Sequence, residues 1–258
     1  MARVNSILLA AEREDAVHQS VNRALMLARY LDARLDILLC DLYRPFTAGV
    51  ERPLPNVAEA HAFLAALRNS VSAPDVEITT DAAFEGTLHE HVAKKVRLER
   101  SSLVIKGVAR APVARDSQLN WQLIRSSPAP LLLTRGNPWQ PRPRFAAVVD
   151  MRQDQSPALS AAVIDIATSV QHACGAKLDF LCLPGRTQSL TGLGAGPERL
   201  HVLGPDETLP QFVAERRYDL VALAVCEEHS GFGVERRLAD KLLAHSFDLL
   251  LTPRRIRY

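Results

Sequence analysis

The chain has 258 residues, 47% hydrophobic and 23% charged, so it can build two apolar cores and does not have the composition of a disordered protein. Its 31 basic and 29 acidic residues leave a formal net charge of +2, which gives no electrostatic reason to expect nucleic-acid binding. No apolar stretch reaches the roughly 18–20 residues that span a bilayer, and no secretion signal is visible at the start. The four cysteines form no C-x-x-C pair and are typical of buried thiols, so we expect a cytoplasmic protein.

The first half alternates short apolar runs with segments of helical spacing. Continuous apolar or β-branched runs predict five strands, at residues 6–11, 35–40, 76–80, 103–105 and 131–134. Apolar residues that recur every three or four positions predict helices after Asp15, over 57–70, after Gly86-Thr87 and around 118–125. This alternation predicts an α/β domain with a parallel sheet covered by helices on both faces.

Residues 136–144 carry three prolines in nine positions, so they can continue neither a helix nor a central strand. We therefore place a linker at 138–144, between a first domain at 1–137 and a second at 145–258. After the linker the pattern restarts. It predicts strands at 145–150, 177–183, 200–203, 220–224 and 249–252, and helices from Ser156-Pro157, over 209–215 and over 235–244.

The two halves repeat each other segment by segment. Leu35 and Leu178 in the second strands are 143 residues apart, whereas Leu103 and Leu220 in the fourth strands are 117 apart. The second half is therefore about 26 residues shorter between its second and third strands, where the first half has its second helix. We expect the second domain to lack that helix and to carry a Gly-, Thr- and Ser-rich loop over 185–197. The bared apolar sheet face then needs a partner, such as the other domain or a second chain.

Three segments match the motifs of a known protein family. The opening strand leads to an acidic residue in both halves, Glu12 and Asp150. Residues 103–107 form an apolar run that ends in Lys-Gly where the family has Met-Gly. Residues 121–135 match the family pattern of Leu-Leu-Arg, two residues, Pro-x-Pro and an apolar strand. With these motifs the chain resembles the universal stress protein family. The similarity covers essentially the whole chain and is greatest to tandem, two-domain members.

The resemblance implies that each domain is a Rossmann-like or flavodoxin-like five-stranded parallel sheet of strand order 3-2-1-4-5. Family members commonly dimerise through their fifth strands, and tandem members can form that pair within one chain. Here the pairing would place Leu131–Thr134 beside Leu249–Thr252. The resemblance leaves open whether the tandem pair forms a further homodimer.

ATP-binding members of the family carry Gly, two residues, Gly, nine residues and Gly-Ser or Gly-Thr after the fourth strand. Glycines at these positions let backbone N–H groups approach phosphates closely. In the first domain only Gly107 remains, because Arg110 takes the second position and Ser117-Gln118 the last pair. In the second domain Ala224 takes the first position and Arg236 stands near the last. We therefore expect no cofactor and no ATP bound in the family's usual way, while other modes of ATP binding stay open.

Ligands of doubly wound sheets bind at the carboxyl ends of the strands. The candidate ligand-binding residues there are Glu12, Gly107, Arg110, Asp150, Gly204 and Ala224. Glu12 and Asp150 can instead be explained as helix-capping or loop carboxylates, and Gly204 as a turn residue. Lys106, Arg110 and Arg115 could hold an anion without glycines, or could form a solvated loop.

No catalytic or metal-binding motif is present, because G-x-S-x-G, Walker A and H-E-x-x-H are all missing from the sequence. His89 and His91 are two positions apart, so they point to different faces of a helix and do not suit a shared metal. The resemblance therefore implies a non-catalytic stress-response protein that binds a small ligand or a protein partner. Three alternatives stay open: an ATP-binding switch with weak hydrolysis, a ligand-free interaction module, and a hydrolase whose triad assembles only in space.

Overall fold

The computed structural model describes residues 4–11, 17–40, 57–71, 73–108, 114–150, 157–183, 200–203, 208–225 and 241–253. The strands are β1 (Ser6–Ala11), β2 (Arg34–Cys40), β3 (Ile78–Ala83), β4 (Leu103–Gly107), β5 (Leu131–Thr134), β6 (Arg144–Asp150), β7 (Lys177–Leu183), β8 (Leu200–Val202), β9 (Leu220–Val225) and β10 (Asp248–Pro253). The helices are α1 (Val17–Leu31), α2 (Val57–Ser70), α3 (Leu88–Glu99), α4 (Ala114–Ser126), α5 (Pro157–Cys174) and α6 (Leu209–Arg216). Residues 241–243 are also helical.

The ten strands form one sheet, in the order β3-β2-β1-β4-β5-β10-β9-β6-β7-β8. Within each half every pairing is parallel and the strand order is 3-2-1-4-5, which confirms the predicted α/β class and order. At the centre β5 and β10 run antiparallel, with Leu132 opposite Leu250. The hydrogen-bonded sheet therefore continues from one half of the chain into the other.

Helices cover both faces of the sheet because successive side chains of a strand point to opposite faces. Helices α1, α2 and α5 pack on one face, against buried residues such as Leu9 and Ile105. Helices α3, α4 and α6 pack on the other face, against residues such as Leu8 and Val104. Strands buried on both faces need unbroken apolar runs, which explains why most of them could be predicted from the sequence. Within the described ranges no helix is long and apolar enough to cross a membrane.

The third strand is the clearest difference from the predicted elements. The β-branched residues placed it at 76–80, but β3 runs from Ile78 to Ala83. Val76 is buried in a turn instead, where its N–H donates to the carbonyl of Ala73 (3.2 Å). Pairing with β2 carries the strand on to Ala83, opposite Cys40, so tertiary pairing outweighs local propensity.

Smaller differences concern the ends of other elements. Helix α4 begins at Ala114, four residues before the predicted position, and β6 begins at Arg144, one residue before the predicted domain start. The domain boundaries themselves stay a prediction. The helix expected to be missing from the second half falls at 184–199, which lies outside the described residues.

Each second strand carries one carboxylate at the matching position of the repeat. Asp36 is buried and accepts a hydrogen bond from Ser6 (3.1 Å). Asp179 accepts hydrogen bonds from Arg144 (2.9 Å) and Tyr218 (2.9 Å). Burial, and then the hydrogen bond to Asp179, raise the pKa of Tyr218 above its ordinary value. Such partners offset the cost of burying a charge, so these repeated aspartates tie each second strand to its neighbours.

Candidate functional site

The predicted ligand residues that the structure describes lie at carboxyl ends of strands. Gly107 is the last residue of β4, Asp150 is the last of β6, and Ala224 is the next to last of β9. Glu12, Arg110 and Gly204 lie outside the described residues, as does the side chain of Arg115. The role of all of these residues as ligand contacts stays a prediction.

The sheet topology places these strand ends in pairs. In the first half β1 lies beside β4, with Ala10 opposite Lys106, so Gly107 lies where the strand order reverses. In the second half β6 lies beside β9, so Asp150 and Ala224 end neighbouring parallel strands. Lys106 belongs to β4 and is only 3% exposed, which contradicts the interpretation of this residue as part of a solvated loop.

The histidines that the sequence placed close together do not form a metal site in the described part of the chain. His91 contacts the carbonyl oxygen of Glu85 through Nε2, and His89 lies within 3.5 Å of the Thr87 hydroxyl. Within the described ranges no group of three His, Cys, Asp or Glu side chains is placed to hold a metal ion. A pair of opposite charges with both side chains buried lies elsewhere, at the junction of the two halves.

A buried ion pair joins α1 to β10 at this junction. Arg23 Nε lies 2.8 Å from Asp248 Oδ2, and the two side chains are 4% and 1% exposed. The hydroxyl of Thr134 donates to Asp248 Oδ1 (2.8 Å), and the indole N–H of Trp139 donates to Asp248 Oδ2 (3.0 Å). One carboxylate therefore holds together α1, β5, β10 and the linker.

Arg23 is enclosed by the same linker. Its guanidinium carbon lies 3.9 Å from the centre of the Trp139 ring, and the guanidinium also donates to the backbone carbonyl of Asn137. Burial lowers the pKa of Arg23 and raises the pKa of Asp248, and the attraction between the two charges opposes both shifts. Removing either partner would leave the other charge buried without compensation.

The linker is bound on its other side to the second half. The backbone N–H groups of Gln140 and Arg144 donate to the two carboxylate oxygens of Asp219, at 3.0 and 2.9 Å. Gly136 has a φ of +67°, and a Cβ there would lie 2.2 Å from the Cβ of Gln19 in α1. Close contact on both sides shows that this Pro-rich segment is packed between α1 and the amino ends of β9 and β10.

Among the clefts that the linker lines, two have volumes of about 710 Å³ and about 480 Å³. We call the larger one the junction cleft; its walls include Arg135, Trp139, Arg217, Tyr218, His245 and Phe247. The smaller cleft lies beside α1 and is lined by Asn22, Tyr30 and Cys174, among others. Burial raises the pKa of the Cys174 thiol to about 12, so this thiol is held in its neutral form.

Sequence reasoning missed Arg23, Trp139 and Asp248. A signal for the ion pair was present, because Arg23 interrupts the apolar face of α1 and Asp248 opens an apolar strand. A charge in an apolar stripe implies a buried partner, although it does not name that partner.

Comparison with known proteins relates this geometry to a known architecture. No family model matches the chain, and no curated protein sequence matches it. Among solved structures, a protein of unknown function from Pseudomonas aeruginosa PAO1 aligns with a TM-score of 0.72 at 19% identity, over 97% of this chain and 92% of its own. A putative universal stress protein from Pseudomonas aeruginosa UCBPP-PA14 aligns with a TM-score of 0.71 at 20% identity, over 97% and 93% of the two chains.

A universal stress protein from Archaeoglobus fulgidus DSM 4304 aligns with a TM-score of 0.72 at 12% identity, over 98% of this chain and 97% of its own. All three alignments span both halves of the chain. The resemblance drawn from the motifs is therefore confirmed at the level of the fold.

Proposed function

We propose that this chain is a tandem universal-stress-type protein that acts in the cytoplasmic stress response without catalysing a reaction. It works by binding a small ligand or a protein partner. The observation that carries this proposal is the strand order 3-2-1-4-5 occurring twice in one sheet, together with end-to-end alignment to universal stress protein structures. The buried thiol of Cys182 forms no disulfide bond within the described part of the chain, which suits a reducing compartment.

The positions of the family's phosphate-binding glycines support a ligand other than ATP. Ala224 stands at the first of these positions in the second half, and its methyl group packs against the apolar core. Arg110 stands at the second position in the first half. A side chain at a position that needs a bare backbone keeps N–H groups away from a phosphate.

A ligand-free interaction module is the second candidate function. Strand β8 is only three residues long and lies at an edge of the sheet, and its Val202 is 61% exposed. An exposed apolar residue on an edge strand suits pairing with another chain. This candidate uses the same fold and differs in requiring no bound small molecule.

Native mass spectrometry of the full chain, purified from its host and repeated after denaturation, tests the proposal. A bound small molecule other than a nucleotide supports ligand binding, and a co-purified protein chain supports partner binding. A co-purified ATP would contradict the argument from the lost glycines and would favour the ATP-binding switch. The intact mass also separates monomer from homodimer.

Calorimetric titration with ATP provides the matched control. We expect no binding to the native chain at millimolar ATP. The double variant Arg110→Gly with Ala224→Gly restores one glycine in each half, so any gain of ATP binding would identify glycine loss as the cause. Equal ATP binding by both chains would contradict the proposed role of the glycines.

A further inference from the structure

We propose that the junction cleft binds a small organic anion that carries a flat ring. This inference takes up the small-ligand side of the proposed function and rests on it. The cleft lies at the amino ends of β9 and β10, whereas the predicted crevices lie at the carboxyl ends of the strands. It is therefore a separate site, formed where the linker crosses the second half.

The two carboxylates in the cleft wall are already engaged by the protein. Asp248 is 1% exposed and accepts hydrogen bonds from the side chains of Thr134 and Trp139 beside its ion pair with Arg23. Asp219 accepts hydrogen bonds from two backbone N–H groups of the linker. A carboxylate has about four lone-pair sites, and most of them here are used, so the cleft does not suit a cation.

Donor groups, by contrast, remain at the rim. Arg217 is exposed, and its guanidinium makes no ion pair with another described residue. His245 is half-buried and lies stacked on Phe247, with ring centres 5.7 Å apart, and its ring nitrogens make no hydrogen bond to another described residue. Arg135 lines the same cleft and donates to the carbonyl of Leu243. Two guanidinium groups and an imidazole at one rim favour a negatively charged ligand.

The walls between these donors are aromatic. Trp139 and His245 line the cleft as half-buried rings, and Tyr218 and Phe247 also line it but are only 4% and 6% exposed. Aromatic faces bind flat rings by stacking or edge contact. The volume of about 710 Å³ is within the range of small-molecule sites. The ligand class is therefore an aromatic carboxylate or an aromatic phosphate, which share an anionic head on a flat ring.

Calorimetric titration of the full chain with three matched probes tests this proposal. The probes are 1-naphthyl phosphate, 1-naphthoate and the neutral 1-naphthol. We expect at least one of the two anions to bind at least about tenfold more tightly than the alcohol, because a hydrogen bond to a charged group is stronger than one to a neutral group. The anion that binds more tightly identifies phosphate or carboxylate as the preferred head group.

Two cleft variants and two controls locate the site. Arg217→Asn places at this position a residue that tolerates the left-handed backbone (φ 54°). Arg217→Asn and His245→Gln, each made alone, should weaken anion binding about tenfold. Arg142→Gln removes an equal charge from an exposed part of the same linker and should leave affinity unchanged. Asp150→Asn alters the predicted crevice of the second half and should also leave affinity unchanged.

Unchanged anion affinity in Arg217→Asn and His245→Gln would overturn the proposal. Loss of binding in Asp150→Asn alone would also overturn it, but would leave the proposed ligand-binding function standing with its site in the crevice. If neither anion binds at about 5 mM, the inference is overturned, because a titration at that concentration detects even a millimolar dissociation constant. The proposed function is judged separately by the molecules that co-purify with the native chain.

Discussion

Thr134 and Thr252 hold matching places in the two central strands, yet within the described residues only the Thr134 hydroxyl has a hydrogen-bond partner. The register of β5 and β10 sets Thr134 opposite Asp248 and Thr252 opposite Pro130. Thr134 donates to the carboxylate at 2.8 Å, whereas the Thr252 hydroxyl is buried without a partner in the described part of the chain. The repeat is therefore asymmetric at the centre of the sheet, because one aspartate, Asp248, contacts the ion-pair partner and the linker on one side only.

This asymmetry predicts opposite outcomes for the same substitution at the two threonines. Thr134→Val should lower the free energy of unfolding by about 1.5–3 kcal/mol, because a buried carboxylate loses a donor. Thr252→Val should be neutral or stabilising, because no hydrogen bond is lost and an unpaired hydroxyl is replaced by a methyl group. Urea denaturation of the two variants measures the difference. Equal destabilisation by both would contradict the assigned partners.

The ion pair at the junction should be far more sensitive to substitution than an exposed pair of the same type. Asp248→Asn leaves Arg23 buried without a countercharge, so we expect a loss of about 3–5 kcal/mol in the free energy of unfolding. Asp75→Asn breaks the exposed pair with Arg29 (3.0 Å, side chains 56% and 40% exposed) and should cost no more than about 1 kcal/mol. Urea titration monitored by circular dichroism compares the two variants.

A double-mutant cycle checks the origin of that loss. If the uncompensated charge of Arg23 is the cause, Arg23→Met combined with Asp248→Asn should cost less than the sum of the two single losses. Additive losses would instead assign the destabilisation to disturbed packing around the linker.

Much of the fold could be predicted because its strands are buried on both faces. β5 was predicted with its observed bounds, since four apolar or β-branched residues between a Pro-rich turn and a linker have few other solutions. β3 was misplaced because it is an edge strand with exposed residues such as Thr79 and Asp81, and pairing with β2 sets its ends. Edge strands carry a weaker apolar pattern, so local propensity was a poor guide there.

The junction could not be predicted, because its members are distant in the sequence. Trp139 and Asp248 are 109 positions apart, and Thr134 and Asp248 are 114 apart. The prolines of the linker indicated where regular structure stops, but not what the segment packs against. The residues predicted to contact a ligand at the carboxyl ends of the strands were inferred from a sequence motif instead, and this role stays a prediction.

The tight approach of the linker to α1 predicts different costs at two glycines of similar backbone geometry. Gly136 and Gly175 have φ angles of +67° and +62°, so alanine at either position costs about 1–2 kcal/mol in backbone strain. A Cβ at Gly175 meets nothing within 4 Å, whereas one at Gly136 lies 2.2 Å from the Cβ of Gln19. Gly136→Ala should therefore cost about 1–3 kcal/mol more, through displacement of the linker or α1.

Thermal and urea unfolding of Gly136→Ala and Gly175→Ala test this difference. Trp139 provides a second readout, because movement of the linker changes the environment of its ring and hence its fluorescence. A Gly136→Ala variant as stable as Gly175→Ala, with unchanged fluorescence, would contradict the close contact with α1.

Cys174 lines the smaller cleft, but its thiol should be chemically inert in the folded chain. Burial raises its pKa from 9.0 to about 12, and the nearby charge of Arg23 only partly opposes that shift. The thiolate is the reactive form, and its fraction at pH 8 falls about a thousandfold when the pKa rises from 9.0 to about 12.

Alkylation by iodoacetamide at pH 8, followed by mass spectrometry of the peptide that contains Cys174, measures the rate of reaction of this thiol. We expect labelling at least about a hundredfold slower in the folded chain than in urea. Equal rates in the two states would show that the thiol is neither shielded nor held neutral, which would contradict the packing of this cleft against α1.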